Sequence, residues 1–234
     1  MRGIYLAIML VILLPTSAGA QHPLVLERLK EWNAAAPPPV TAVLISEVMK
    51  SALAAQKSKG GCIPTSAIVE TVVPATAVPF VFNAIMSGQT KNAWTVVVLH
   101  PNCDADVVRY TVVRQSDDAL FVFRTNRGRS NANETLIGDT FPLAILGAKD
   151  AMRRAKISCI GTDATLGVTR IAEEEADLAP EIFGNRYKGS WREIWPVTTC
   201  GRTAEVEVRF TADGDGGAFT NLASTKVKLL PEVR

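Results

Sequence analysis

The 234-residue chain is 47% hydrophobic and 21% charged, a balance that excludes an intrinsically disordered protein. Its 25 Lys and Arg against 23 Asp and Glu leave a formal charge of +2. So near neutrality, no nucleic-acid footprint and no basic membrane-surface patch is expected.

In chain order, Met1-Arg2-Gly3 supplies a short positive start, and Ile4 to Leu14 is an apolar run too short to span a bilayer. Pro15 ends the run, and Ala18-Gly19-Ala20 supplies the small residues a signal peptidase needs. Residues 1–20 are therefore read as an export signal, with Gln21 the new N-terminus. No later segment is long and apolar enough to span a membrane as a helix. Residues 21–39 are a lead-in carrying His22 and Trp32.

Val40 to Lys57 places Leu44, Ile45, Val48, Met49, Ala52 and Leu53 at helical spacing. Ser66 to Val73 is β-branched, and Ala93 to Leu99 reads as a buried strand. Val108, Tyr110 and Val112 alternate with polar residues, and Asp117-Asp118 turns the chain into a strand from Leu120 to Arg124. A second helix is expected after Asp139 or Thr140, with Pro142 at its start and Phe141, Ile145 and Met152 on its apolar face. Val206, Val208 and Phe210 alternate again, and Asp213 to Gly217 makes a glycine-rich turn.

The cysteines organise this pattern. Cys62 to Cys103 and Cys159 to Cys200 are each 41 residues apart, and the pairs are offset by 97. The same offset lays Lys91 and Trp94 over Lys188 and Trp191, and Cys62-Ile63 over Cys159-Ile160, without a gap. After the second cysteine the offset becomes 98, with Val108 over Val206 and Phe121 over Phe219. We read an α+β chain built by tandem duplication of a helix and an antiparallel β-meander, over residues 40–136 and 137–234. Four cysteines in an exported chain mean two disulfides, expected as Cys62–Cys103 and Cys159–Cys200. Crossed pairing is equally symmetric; locality favours one bond per unit, because a unit that duplicated must once have closed its own bond.

Trp191-Arg192-Glu193-Ile194-Trp195-Pro196-Val197 leading to Cys200-Gly201, with Lys91 to Thr95, resembles tracts of uncharacterised secreted proteobacterial proteins. That resemblance implies a Gram-negative periplasm or exterior, and no activity. Tandem helix-plus-sheet units with one disulfide each are also similar, at the level of architecture alone, to secreted enzyme-inhibitory proteins.

Candidate chemistry is sparse. His100 lies three residues before Cys103, with Asp104 and Asp106 following, but its counterpart is Val197, which points to a packing slot. A zinc site there would need a free Cys103 thiolate. Asp213-Gly214-Asp215-Gly216 opens like a calcium loop, yet its twelfth position is Ser224, so a hairpin turn is expected and no metal. Strand alternation sets Trp191, Glu193 and Trp195 on one face. A carboxyl between two indoles could serve as a general acid or as part of a sugar platform. The simpler expectation is an edge strand that leaves Glu193 in water. Arg124, Arg127 and Arg129 form a basic patch in a loop between the units, suited to an anion or an acidic partner. Asn133-Glu134-Thr135 fits the glycosylation pattern, and Glu173 to Glu175 with Asp177 reads as an exposed bulge.

The expectation is an exported, non-catalytic binding or interaction protein without a cofactor, using the seam between the units. Its partner would be a protein or a small molecule. The alternatives are a periplasmic hydrolase using Glu193 or His100 and a structural envelope protein.

Overall fold

The computed structural model describes residues 23–59, 62–103, 106–222 and 226–231; the expected export signal and Gln21 lie outside them. Among the described residues four helices accompany a ten-stranded, mostly antiparallel sheet, an α+β fold.

The first half runs α1 (Pro23–Ala35), α2 (Thr41–Lys59), β1 (Ile68–Pro74), α3 (Pro79–Met86), β2 (Thr90–His100), β3 (Asp106–Gln115) and β4 (Leu120–Gly128). The second runs α4 (Glu134–Arg154), β5 (Ala164–Leu166), β6 (Val168–Glu174), β7 (Ser190–Thr199), β8 (Arg202–Ala212), β9 (Ala218–Leu222) and β10 (Lys228–Leu229). Strands β1-β2-β3-β4 and β6-β7-β8-β9 are both antiparallel meanders. Each half carries one disulfide, Cys62–Cys103 and Cys159–Cys200. Each bond ties the segment after a helix to the turn after the second strand of the meander.

Both cores follow strand alternation. On the first sheet face Trp94, Val96, Val98, Val108, Tyr110 and Val112 bury against Leu44, Val48 and Ala52 of α2. In the second half Trp191, Trp195, Val197, Val206, Val208 and Phe210 bury against Ala144 and Ala148 of α4. Trp191 stacks on Phe210 with centroids 5.0 Å apart.

The two helices cover opposite faces of the continuous sheet. Arg109 and Thr111 alternate with the core residues Val108, Tyr110 and Val112, so they point away from α2. Thr111 donates to Glu134 Oε1 at 2.9 Å, and Arg109 donates to the Ala132 carbonyl at 2.6 Å, so the start of α4 sits on that other face. Arg109 and Glu134 are both nearly buried and 3.8 Å apart.

The halves meet where β4 and β6 pair in parallel over Arg127↔Val168 and Gly128↔Thr169. Gly128 has φ +86°, and a Cβ there would lie 2.0 Å from the Thr169 carbonyl oxygen, so this junction requires glycine. Asn185 also joins the two halves. Its amide donates to the Ala77 carbonyl at 2.8 Å, and its oxygen accepts from Asn133 at 2.8 Å. Gly184 packs there against Val78 and Ala75, with φ +97°.

Two helices are added to the elements expected from the sequence, and one expected start is corrected. The lead-in is helical: α1 is docked by Asn92, whose amide donates to the Ala36 carbonyl at 2.7 Å, and by Trp32 against Phe82. An eight-residue α3, opened by Pro79, lies between β1 and β2. Helix α4 begins at Glu134 rather than at Thr140, because Asn133 is the cap, accepting from the Leu136 N–H at 2.9 Å. Pro142 is inside the helix, and Thr140 is buried.

Candidate functional site

Glu193 is the most elaborately built polar group in the second half. Strand alternation puts it between Trp191 and Trp195 on the face under α4, and it is fully buried. The expected wet edge is therefore corrected: β7 is flanked by β5 and β6 on one side and β8 on the other. Oε1 accepts from the Trp191 indole at 2.8 Å, the Asn131 N–H at 2.8 Å and the Ala132 N–H at 3.2 Å. Oε2 accepts from the Trp195 indole and the Ser130 hydroxyl, both at 2.8 Å.

Five neutral donors thus converge on one carboxylate. Four are N–H groups that can only donate, so both oxygens act as acceptors. The two indoles belong to the same strand, whereas the segment 130–132 arrives from the β4–α4 connection. That segment is itself held from behind by Arg109 on the Ala132 carbonyl and by Arg186 on Asn131 Oδ1 at 2.6 Å. Glu193 consequently fastens the linker between the halves onto the second sheet. A general acid must reach the atom it protonates, and this carboxyl is sealed on every side.

His100 is likewise occupied. It is 3% exposed, with Nδ1 3.0 Å from the Ser66 carbonyl and Nε2 3.2 Å from the Tyr110 hydroxyl. From the end of β2 it ties the segment before β1 to β3. Cys103 is in its disulfide, so neither a thiol nucleophile nor a thiolate ligand stands beside it. Among the described residues no group of three or more His, Cys, Asp or Glu is placed to hold a metal. The Asp213 turn has an internal explanation: its carboxylate accepts from the Asp215 and Gly217 N–H groups, at 2.8 and 3.1 Å.

Two of the three basic residues are not in a loop. Arg124 and Arg127 belong to β4, because the strand continues to Gly128 where it meets β6. Arg129 follows and pairs with Glu70 at 2.9 Å. Arg124 is exposed. The acidic run is not a free bulge either. Glu173 pairs with Arg192, Glu174 accepts from Asn131 at 2.7 Å, and Glu175 lies 3.8 Å from Arg209. Asn133 is 2% exposed and engaged as a helix cap, so it offers no glycan acceptor.

Sequence reasoning missed an apolar hollow of about 310 Å³ in the first half, lined by Phe80, Val81, Ala84, Thr90, Val113, Phe121 and Phe123. It lies between α3 and the β3–β4 hairpin, on the face away from α2. Phe121 is 55% exposed and Phe80 40%. The signal was available: Leu120-Phe121-Val122-Phe123 is apolar on both faces, where a strand with one wet face would alternate.

The seam at Asn185 is a filled polar contact. No described helix is long and apolar enough to cross a membrane. Comparison with family models, with curated proteins and with solved structures returns no match, so no fold or activity is carried over to this chain.

Proposed function

We propose that this chain is an exported, non-catalytic binding protein that arose by tandem duplication of an α+β unit. The single observation carrying the non-catalytic reading is that both candidate catalytic groups are sealed. Glu193 is fully buried with both oxygens taken, and His100 is 3% exposed with both ring nitrogens taken. Two disulfides favour an oxidising compartment, in keeping with the signal-like N-terminus. The repeated order of helix and meander, with Trp94 and Trp191 buried at matching places, favours duplication. Since the seam is filled around Asn185, the open apolar hollow beside β4 is the better binding surface, and its partner is a protein segment.

Intact-mass measurement of exported material tests the first part, and a protein beginning at Gln21 is expected. A hydrolase panel tests the second, with no turnover expected. Turnover abolished by Glu193→Gln or His100→Ala at an unchanged melting temperature would overturn the non-catalytic reading.

A further inference from the structure

Three features converge on the outer edge of β4. First, β4 pairs with β3 along Leu120 to Arg127, but its pairing with β6 covers only Arg127 and Gly128. Among the described residues, Leu120 to Arg124 therefore has no strand on its outer side, and half of its main-chain donors and acceptors face outward. Second, side chains of the same strand line the apolar hollow. Phe121 and Phe123 point into it from the strand, with centroids 5.6 Å apart, and Phe80 of α3 lies 6.1 Å from Phe123. Its volume of about 310 Å³ suits one or two apolar side chains and is small for a folded domain. Third, Arg124 is exposed at the next position along the strand and sets a positive sign there.

We propose that β4 is a strand-addition site. It takes an extended segment of a partner protein that pairs with Leu120 to Arg124, sets an aromatic or branched aliphatic side chain against Phe80, Phe121 and Phe123, and carries an acidic residue toward Arg124. This rests on the binding-protein reading and names the surface and the partner's chemistry. An exposed edge alone would admit any strand, and an apolar hollow alone would admit any greasy molecule. Together they select an extended polypeptide, because only it fills the hollow and satisfies the outward main-chain groups. The Arg124 charge then discriminates among such segments.

The second half also ends in a strand with a free outer edge, but among the described residues no such hollow lies beside it. The strand equivalent to β4 is β9, which carries one exposed phenylalanine, Phe219, and lacks a neighbouring helix equivalent to α3.

A random dodecapeptide display library panned on the mature protein is the test, with recovered peptides then made synthetically. Recovered peptides should alternate apolar residues and carry an acid, and should shift backbone amide resonances of Leu120 to Arg124. Phe121→Asp, at a half-exposed position, should keep the melting temperature and weaken binding at least about tenfold. Peptides N-methylated at alternate residues should lose a similar factor, since main-chain pairing is blocked. Arg124→Glu should weaken acidic peptides and spare neutral ones. Failure to recover any peptide, peptides mapping elsewhere, or indifference to Phe121→Asp would overturn the site. So would concentration-dependent dimerisation that Phe121→Asp abolishes, which would assign the edge to a second copy. If the site fails while the hydrolase panel stays silent, the binding-protein reading survives; turnover dependent on Glu193 or His100 defeats that reading instead.

Discussion

The second strand of each meander occupies the same place, yet β2 holds Val96 where β7 holds Glu193. Both positions are fully buried beneath a helix between two buried apolar side chains, Trp94 and Val98 in one half and Trp191 and Trp195 in the other. The first half is closed by apolar packing alone at this point. The second half accepts a carboxylate because Ser130, Asn131 and Ala132 bring three donors onto it. The linker that follows β4 lies over β7 at Glu193, whereas the segment that precedes α2 meets β2 at Asn92 and not at Val96. The same contrast holds on the sheet faces turned away from each half's own large helix. Around β7 and β8 that face is an ionic ladder, with Arg192 between Glu173 and Glu207, Lys226 on Glu207 and Arg170 on Glu205. In the first half Arg109 and Thr111 meet the start of α4 on that face, and beside them it carries the apolar hollow at Phe121. A buried charge and an open apolar face therefore reflect which segments the chain happens to lay over each unit.

The sharpest break of this comparison is Glu193→Ala. It strands two indole and two main-chain N–H donors in the core, and we expect a loss of about 5 kcal/mol in denaturant unfolding. Val96→Ala removes only buried methyl groups and should cost about 2 kcal/mol. Equal losses at the two positions would mean that the donors around Glu193 find water once the carboxylate is gone.

The disulfides test whether the halves are equivalent where they look equivalent. Each closes a segment of the same length, with a sequence separation of 41. Replacing either cystine by two alanines should cost about 4 kcal/mol in the chain-entropy account. A markedly larger drop for Cys159–Cys200 than for Cys62–Cys103 would show that the halves differ in unfolded-state structure.

The smallest effect concerns the ionic ladder. Lys226, hydrogen-bonded to Glu207 Oε1 at 2.6 Å, together with Arg192, holds the Glu207 carboxyl below the usual glutamate value. The folded state binds this proton more weakly than the unfolded chain. The stabilisation is therefore full above about pH 4.3 and is lost as the pH falls below it. Glu207→Gln should cost under about 1 kcal/mol at pH 7, and nothing once the wild-type carboxylate is protonated. The first-half counterpart, Arg109, is buried against Glu134 instead, so Arg109→Gln should cost more than Glu207→Gln in the same unfolding measurement.

Period-two alternation was enough to place Trp191, Glu193 and Trp195 on one face, and cysteine spacing with locality was enough to pair Cys62 with Cys103 and Cys159 with Cys200. The β2 strand was legible because Ala93 to Val98 is apolar or β-branched throughout, as a strand covered on both faces must be. Local signals failed where two structures satisfy the same residues. Thr140 and Pro142 look like a helix start, but the apolar face extends back to Ile137 and Asn133 supplies the cap, so the helix begins earlier and carries its proline inside. Pro79 to Met86 is too short for its periodicity to stand out, although Val81 packs it onto Ala93.

The fate of Glu193 could not be read locally. Its two indole donors are two residues away, but Ser130 and Asn131 are 63 and 62 positions distant, and only the docking of the β4–α4 connection brings them together. The same holds for the hollow, whose walls come from α3, β2, β3 and β4 and are apolar residues that would serve equally well as core. Periodicity decides which face a side chain takes, since it is a property of the strand itself. Whether that face meets a helix, a donor loop or water depends on segments distant in sequence, and that was decided only by tertiary packing.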